Sequence, residues 1–214
     1  MQKHDHKCLA KYLLRNVKDK IPAPYRAAFV FGNYEPDINY LTYMHSFWKF
    51  DKFHGHHYDN VRPTILRLLR KLERHPNHMM LLDYYRLGKC MHYVADIFTF
   101  PHNPQFTGTI PEHMEYEEKL HNRLTEIFAE QDALYYLTLP ADKENIKEEI
   151  FMLHANYISG QEQYGIEHDC RYILTAARML AAEYLMPVRE SMLYENPFAF
   201  TPSGSGISVL RPVK

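Results

Sequence analysis

The sequence predicts an all-α, multi-helix single domain, and three observations lead there. Eight glycines and little Val/Thr alternation across 214 residues leave few strand candidates. Apolar residues recur at helical spacing in six segments. Thr109-Ile110-Pro111-Glu112 spells a capping box with proline just inside the helix start.

In chain order, residues 6–17 carry Leu9, Leu13, Leu14 and Val17 on one face and stop before Ile21-Pro22. Residues 62–72 place Ile65, Leu68, Leu69 and Leu72 on one face, with Arg and Lys opposite. Residues 79–98 form a long helix, apolar through Leu82, Tyr85, Met91, Val94 and Ala95, that ends before Pro101. The capping box opens a helix near Ile110 that runs through Leu120 and Leu124 to about Ala129. Two more helices are expected at 143–160 and 167–185, the second with Ile173, Ala176, Ala177 and Leu180. Residues 32–60 show neither period and contain the turn signals Gly32-Asn33 and Pro36-Asp37, so a functional or disordered loop is expected there. Residues 1–200 read as a single domain, followed by a flexible tail at 201–214, where Thr201-Pro-Ser-Gly-Ser-Gly is flexible by composition.

Composition narrows the function. Lys+Arg 25 against Asp+Glu 26 gives a net charge of −1, which argues against a protein held on nucleic acid by a strong positive field. The three cysteines, Cys8, Cys90 and Cys170, are odd in number and widely spread, so a disulfide framework is not expected and a reducing compartment is. The N-terminus carries charges throughout and lacks a signal-peptide stretch, and no apolar run is long enough for a transmembrane segment. The expectation is a cytoplasmic protein that retains Met1, because Gln2 is not a small residue.

Among 14 histidines, a few have chemistry-bearing spacing. His92 and Asp96 stand four apart, so one helix face carries both, and His113 and Glu117 repeat the arrangement on the next helix. His102 follows Pro101 on the connection between them. Imidazole and carboxylate donors without thiolate suit catalytic zinc or another borderline divalent ion. A single such pair is commonplace on helix surfaces. Two pairs flanking a Pro-His, in segments rich in Leu, Phe and Tyr, point to a metal site.

His92-Tyr-Val-Ala-Asp96, Phe100-Pro101-His102-Asn103 and His113-Met-Glu-Tyr-Glu117 together resemble the zinc-dependent phospholipase C family of bacteria. That family shares an all-helical fold and a three-zinc site with the fungal single-strand nucleases. The resemblance extends over residues 1–185 and is most specific in the central stretch. It implies that His92 and Asp96 ligate a cluster of zinc ions, the Asp bridging two, and that His102, His113 and Glu117 hold a further ion. It implies a metal-ligating and water-activating role for Asp37, in a Pro-Asp turn, and a ligand role for His56, whose neighbour His57 is the alternative. An early ligand matches His6. Secreted members chelate the third zinc through the amino group and carbonyl of an N-terminal tryptophan, whereas the only tryptophan here is Trp48. Met1, five residues before His6, offers the same two backbone atoms; the rivals are His4 or Asp5, or an empty third site.

The resemblance therefore implies a zinc-dependent phosphoric ester hydrolase with two to three ions, or another divalent metal, acting on a lipid or small-molecule phosphodiester. Clustered ions would lower the pKa of water and neutralise charge on the phosphoryl oxygens. The alternatives are a single-strand nuclease or nucleotidase-type phosphodiesterase, with bases stacked on loop aromatics, and a non-catalytic metal-binding protein. Asp59, Glu115, Tyr93 and Tyr116 are candidates for orienting the imidazoles, as is His121, one further turn along the His113/Glu117 face. Cys90 is expected to be a core thiol. His75 and His78 read as an exposed turn, His154 and His168 as partly buried or surface residues, and His45 and His54 as residues that could line a cleft.

Overall fold

A computed structural model describes residues 1–15, 17, 19–39, 58–74, 79–130, 145–160 and 165–185. These form α1 (Lys3–Leu14), α2 (Ala23–Ile38), α3 (Tyr58–Leu72), α4 (Leu81–Ile97), a 3-10 turn (Phe100–His102), α5 (Ile110–Ala129), α6 (Ile146–Ser159) and α7 (Ile166–Tyr184). The fold is all-α, as expected, and no described helix is long and apolar enough to cross a membrane. His45, Trp48, His54, His56, His57, His75, His78 and the 201–214 tail lie outside the described residues.

α4 is the central element. From Leu87 to Ile97 all but Lys89 are buried, His92 and Asp96 included. α2, α3 and α7 pack against it, and α1 touches it. α5 lies across α1 and α7, and α6 covers α7. Leu9, Phe29, Ile65, Leu69, Leu72, Leu87, Met91, Leu120 and Leu124 are fully enclosed among these elements. Burying each such side chain contributes about 1.5–3 kcal/mol relative to exposure.

Helix ends follow the chain's local chemistry. Thr109 caps α5: its backbone N–H donates to Glu112 Oε2 at 2.6 Å, and its hydroxyl accepts from the Glu112 N–H at 3.5 Å. α1 begins earlier than residue 6 because the Gln2 N–H is satisfied by Asp5 Oδ2 at 3.0 Å. Met80 and Asp83 do the same for α4 at 3.1 Å.

Three expectations are corrected. Residues 32–38 are not a loop but the second half of α2, and residues 58–60 already belong to α3. Gly32 suggested a turn, yet its lack of a side chain serves a helix contact. A Cβ there would lie 2.2 Å from the Tyr85 carbonyl oxygen, and one at Gly88 would lie 2.1 Å from that of Phe29. The two glycines let α2 and α4 approach backbone to backbone. Pro36 sits within α2, so Asp37 is on its last turn rather than in a Pro-Asp turn. Leu82, expected on the apolar face of α4, is 52% exposed, while its neighbour Asp83 is buried.

Candidate metal centre

α4 supplies the middle of the site. His92 and Asp96, four residues apart, share the face turned toward α1 and α2. His92 Nδ1 lies 2.9 Å from the Asn33 carbonyl oxygen, which can only accept, so Nδ1 carries the proton. The opposite nitrogen, Nε2, then turns a lone pair toward two carboxylates, Asp96 Oδ2 at 3.3 Å and Asp37 Oδ1 at 3.6 Å. A lone pair facing two anions is unfavourable unless a positive charge joins them.

The other face of the Asp96 carboxylate is equally crowded. Oδ1 takes His6 Nε2 at 3.1 Å, the Met1 amino nitrogen at 3.2 Å and His102 Nδ1 at 3.7 Å. His6 and His92 are fully buried and face each other with ring centroids 3.9 Å apart. His6 Nδ1 is buried without a hydrogen-bond partner among the described residues.

α5 and the 3-10 turn build a second subsite. Glu117 Oε1 lies 3.3 Å from His113 Nε2, 3.5 Å from His102 Nε2 and 3.0 Å from the Met1 amino nitrogen. His113 is 34% exposed and Glu117 19%, so this subsite opens toward solvent, whereas His6 and His92 are sealed. The Met1 nitrogen, with no exposure, joins the subsites by touching both Asp96 and Glu117.

The Met1 ammonium and the two carboxylates that it touches shift one another's protonation. Burial works against the Met1 ammonium, but Asp96 and then Glu117 outweigh it and carry its pKa up to about 11. Burial alone would raise the Asp96 carboxyl; the Met1 ammonium is the leading influence that instead holds it well below the usual carboxylate range. Glu117 is lowered too: hydrogen bonds from His102 and His113 overcome its burial. Burial, and then the neighbouring ammonium, push His102 down to about 4.

The spacing fits zinc. Zinc–nitrogen and zinc–oxygen bonds of about 2.1 Å at tetrahedral angles put two donors roughly 3.4 Å apart. His92–Asp96 and His113–Glu117 at 3.3 Å, His102–Glu117 at 3.5 Å and His92–Asp37 at 3.6 Å surround that value. All four are longer than a good N–H···O bond of about 2.9 Å. His6, His92 and Asp96 form one set whose ligand atoms lie within 4.8 Å of one another, and His102, His113 and Glu117 form another.

The structure thus brings Met1, His6, Asp37, His92, Asp96, His102, His113 and Glu117 together, while His56 falls outside the described residues. His4 and Asp5 stand apart, gathered instead with His121. Of the orienting candidates, Asp59 and Glu115 are exposed, Glu115 pairing with Lys119 at 2.7 Å. Tyr93 packs edge-on against His92 with centroids 5.2 Å apart. Tyr116 donates to Asp169 at 2.9 Å.

Sequence reading missed two supports. The Asn33 carbonyl orients His92, but a backbone acceptor leaves no trace in residue type. Asp169 on α7 has no solvent exposure and accepts from the Phe100 N–H at 2.8 Å, Tyr116 at 2.9 Å and Tyr157 at 2.7 Å. It ties the 3-10 turn bearing His102 to the helix bearing Glu117. Cys90 is a core thiol, as expected, and His154 and His168 are buried. His154 Nε2 lies 2.9 Å from Asn103 Oδ1.

Comparison with known proteins gives one match. A family model described as zinc dependent phospholipase C matches residues 5–164. No curated protein and no solved structure matches the chain.

Proposed function

The chain belongs to the zinc-dependent phospholipase C family, and from that premise we propose that it hydrolyses a phosphodiester bond of a phospholipid or a similar small phosphodiester. One observation carries this reading: the Asp96 and Glu117 carboxylates, each faced by histidine nitrogens near the ligand spacing of zinc, converge on the Met1 amine. His6, His92 and Asp96, with Asp37 beside them, would hold one part of the ion cluster. His102, His113 and Glu117 would hold another, and the Met1 amine would fill the corner between. His56 is a further candidate ligand.

Bound zinc would supply Lewis-acid charge for the phosphoryl oxygens and lower the pKa of a water molecule. The chain's own residues do the rest. Asp37, 15% exposed at the edge of the cluster, accepts the proton of the attacking water on a carboxylate oxygen. Water oxygen bonds to phosphorus as the ester P–O bond breaks, and the alkoxide leaves on the far side, taking a proton from solvent to become the alcohol. Asp37, Asp96 and Glu117 would offset part of the charge of bound ions, which would leave the anionic phosphate weakly enough held to be released. The Asn33 carbonyl fixes the His92 tautomer with Nε2 inward.

The test compares zinc-loaded protein on phosphatidylcholine vesicles, a chromogenic phosphodiester and a single-stranded oligonucleotide, with and without chelator. The expected result is chelator-sensitive release of diacylglycerol and phosphocholine, abolished by Asp96→Asn. Cleavage of the oligonucleotide alone would make the chain a nuclease, and hydrolysis of none of the three by metal-replete protein would leave a metal-binding protein.

A further inference from the structure

Outside the inner cluster, a second group of donors gathers where the start of α1 passes α5. His4, Asp5 and His121 each bring a ligand atom within 4.8 Å of the others. Asp5 is 2% exposed; its Oδ1 lies 2.5 Å from His121 Nδ1, and its Oδ2 accepts the Gln2 N–H. The His4 and His121 rings meet edge-on with centroids 5.6 Å apart. One turn beyond His4, Cys8 brings its Sγ to 3.5 Å from His4 Nδ1.

Asp5 and His121 alone would be a helix-to-helix hydrogen bond, with no need of further groups. His4 and Cys8 add nothing to that bond, yet their i,i+4 spacing sets both on the flank of α1 beside it. A thiol against an imidazole is a weak hydrogen bond in its own right. Two imidazoles and a carboxylate at one point, with a thiol beside one of the imidazoles, make the donor mixture that four-coordinate zinc accepts. The sulfur separates this group chemically from the inner cluster, which offers nitrogen and oxygen only, and biases it against hard cations such as magnesium. His4 is exposed and His121 is 27% exposed, so an ion reaches the group from solvent without crossing the core.

We propose that His4, Asp5, Cys8 and His121 form a separate zinc site that clamps the start of α1 to α5. In the closed site the Cys8 thiol, now against His4 Nδ1, turns toward Asp5. As the zinc–sulfur bond forms, the thiol proton passes to solvent, and the proton on His121 Nδ1 moves to Nε2 by solvent exchange as Nδ1 turns to the metal. The clamp acts beside the inner cluster: Asp5 precedes His6, and His121 lies one helical turn beyond Glu117. It thereby holds the Met1 amine in place against Glu117. The site is independent of which ester the inner cluster hydrolyses.

Cobalt(II) substitution tests this without reference to activity. Among the described residues, Cys90 and Cys170 are buried in the core, so a thiolate-to-cobalt charge-transfer band in the near ultraviolet would report Cys8. The fully loaded protein is expected to show the band. Cys8→Ser should lose it together with one equivalent of bound metal per chain, with an unchanged helical circular dichroism spectrum. His121→Ala should lose the same equivalent. Cobalt-loaded protein without a thiolate band, or a Cys8→Ser variant with the wild-type metal content, would overturn the proposal.

Discussion

His92 on α4 donates from Nδ1 to the carbonyl oxygen of Asn33 on α2 across 2.9 Å, between residues 59 apart in sequence. The bond exists because Gly32 and Gly88 let the two helices approach closely: a Cβ on Gly88 would stand 2.1 Å from the Phe29 carbonyl oxygen and 2.9 Å from the Asn33 nitrogen. His92 lies one turn beyond Gly88. The helix contact and the imidazole orientation therefore share one piece of backbone geometry.

Gly88→Ala should separate α2 from α4. Overpacking of this kind costs about 1–3 kcal/mol, and here it would also lengthen the His92–Asn33 bond. Thermal denaturation with and without zinc checks both effects: the melting temperature should fall by several degrees, and the stabilisation gained from zinc should shrink. A variant with unchanged zinc stabilisation would disconnect the glycine contact from the metal site.

The parts of this architecture legible in the sequence are those with a helical period. His92/Asp96 and His113/Glu117 each converge because four residues make about one turn, and Thr109 caps its helix through its own side chain. Gly32 and Pro36 misled because both residues break isolated helices, whereas α2 is held by its neighbour α4. Its tie includes Glu35, which takes Lys89 Nζ at 2.8 Å and the Tyr85 hydroxyl at 3.1 Å. Asp169 stayed hidden because its three donors come from residues 12, 53 and 69 positions away. No local pattern encodes that convergence.

The Met1 amine offers a prediction that separates a ligand from a bystander. Two residues added ahead of Met1 convert the amine to an amide, which removes its positive charge and its basic lone pair from a fully buried position between Asp96 and Glu117. Metal content after dialysis should drop by one ion per chain, and the remaining ions should stay with the histidine sets. An extended protein carrying the full complement would eliminate the amine as a ligand.

Asp37 is assigned both ligation and proton acceptance, and Asp37→Asn divides the two. The amide oxygen keeps a donor 3.6 Å from His92 but cannot take a proton. Loss of a general base lowers turnover by roughly 10²–10⁴-fold. The expected outcome is a kcat reduced by that order, with KM and metal content little changed. A fall in metal content that accounts for all lost activity would leave Asp37 a ligand alone.

Asp169 gives the chain a dependence on pH. Burial pushes its carboxyl from the ordinary 3.8 up to about 6, against the pull of the hydrogen bonds from Phe100, Tyr157 and Tyr116. The folded state therefore binds this proton more tightly than the unfolded state. The resulting stabilisation is complete below about 3.8 and is lost as pH rises through 6, a span of roughly 3 kcal/mol. His154 acts in the opposite sense. Burial lowers it from 6.5 to about 4, so its contribution is present above 6.5 and lost as pH falls toward 4. The two oppose each other over one window, so that these two contributions nearly cancel in the wild type. Asp169→Asn removes the first and leaves the second. Chemical denaturation of chelator-treated protein between pH 4 and 7 should then show the variant gaining stability relative to wild type as pH rises. The Asn amide cannot satisfy three donors as a carboxylate does, so the variant starts from a lower level, and the slope is the informative quantity. Parallel curves would show that Asp169 keeps an ordinary carboxylate pKa, its three hydrogen bonds having compensated its burial.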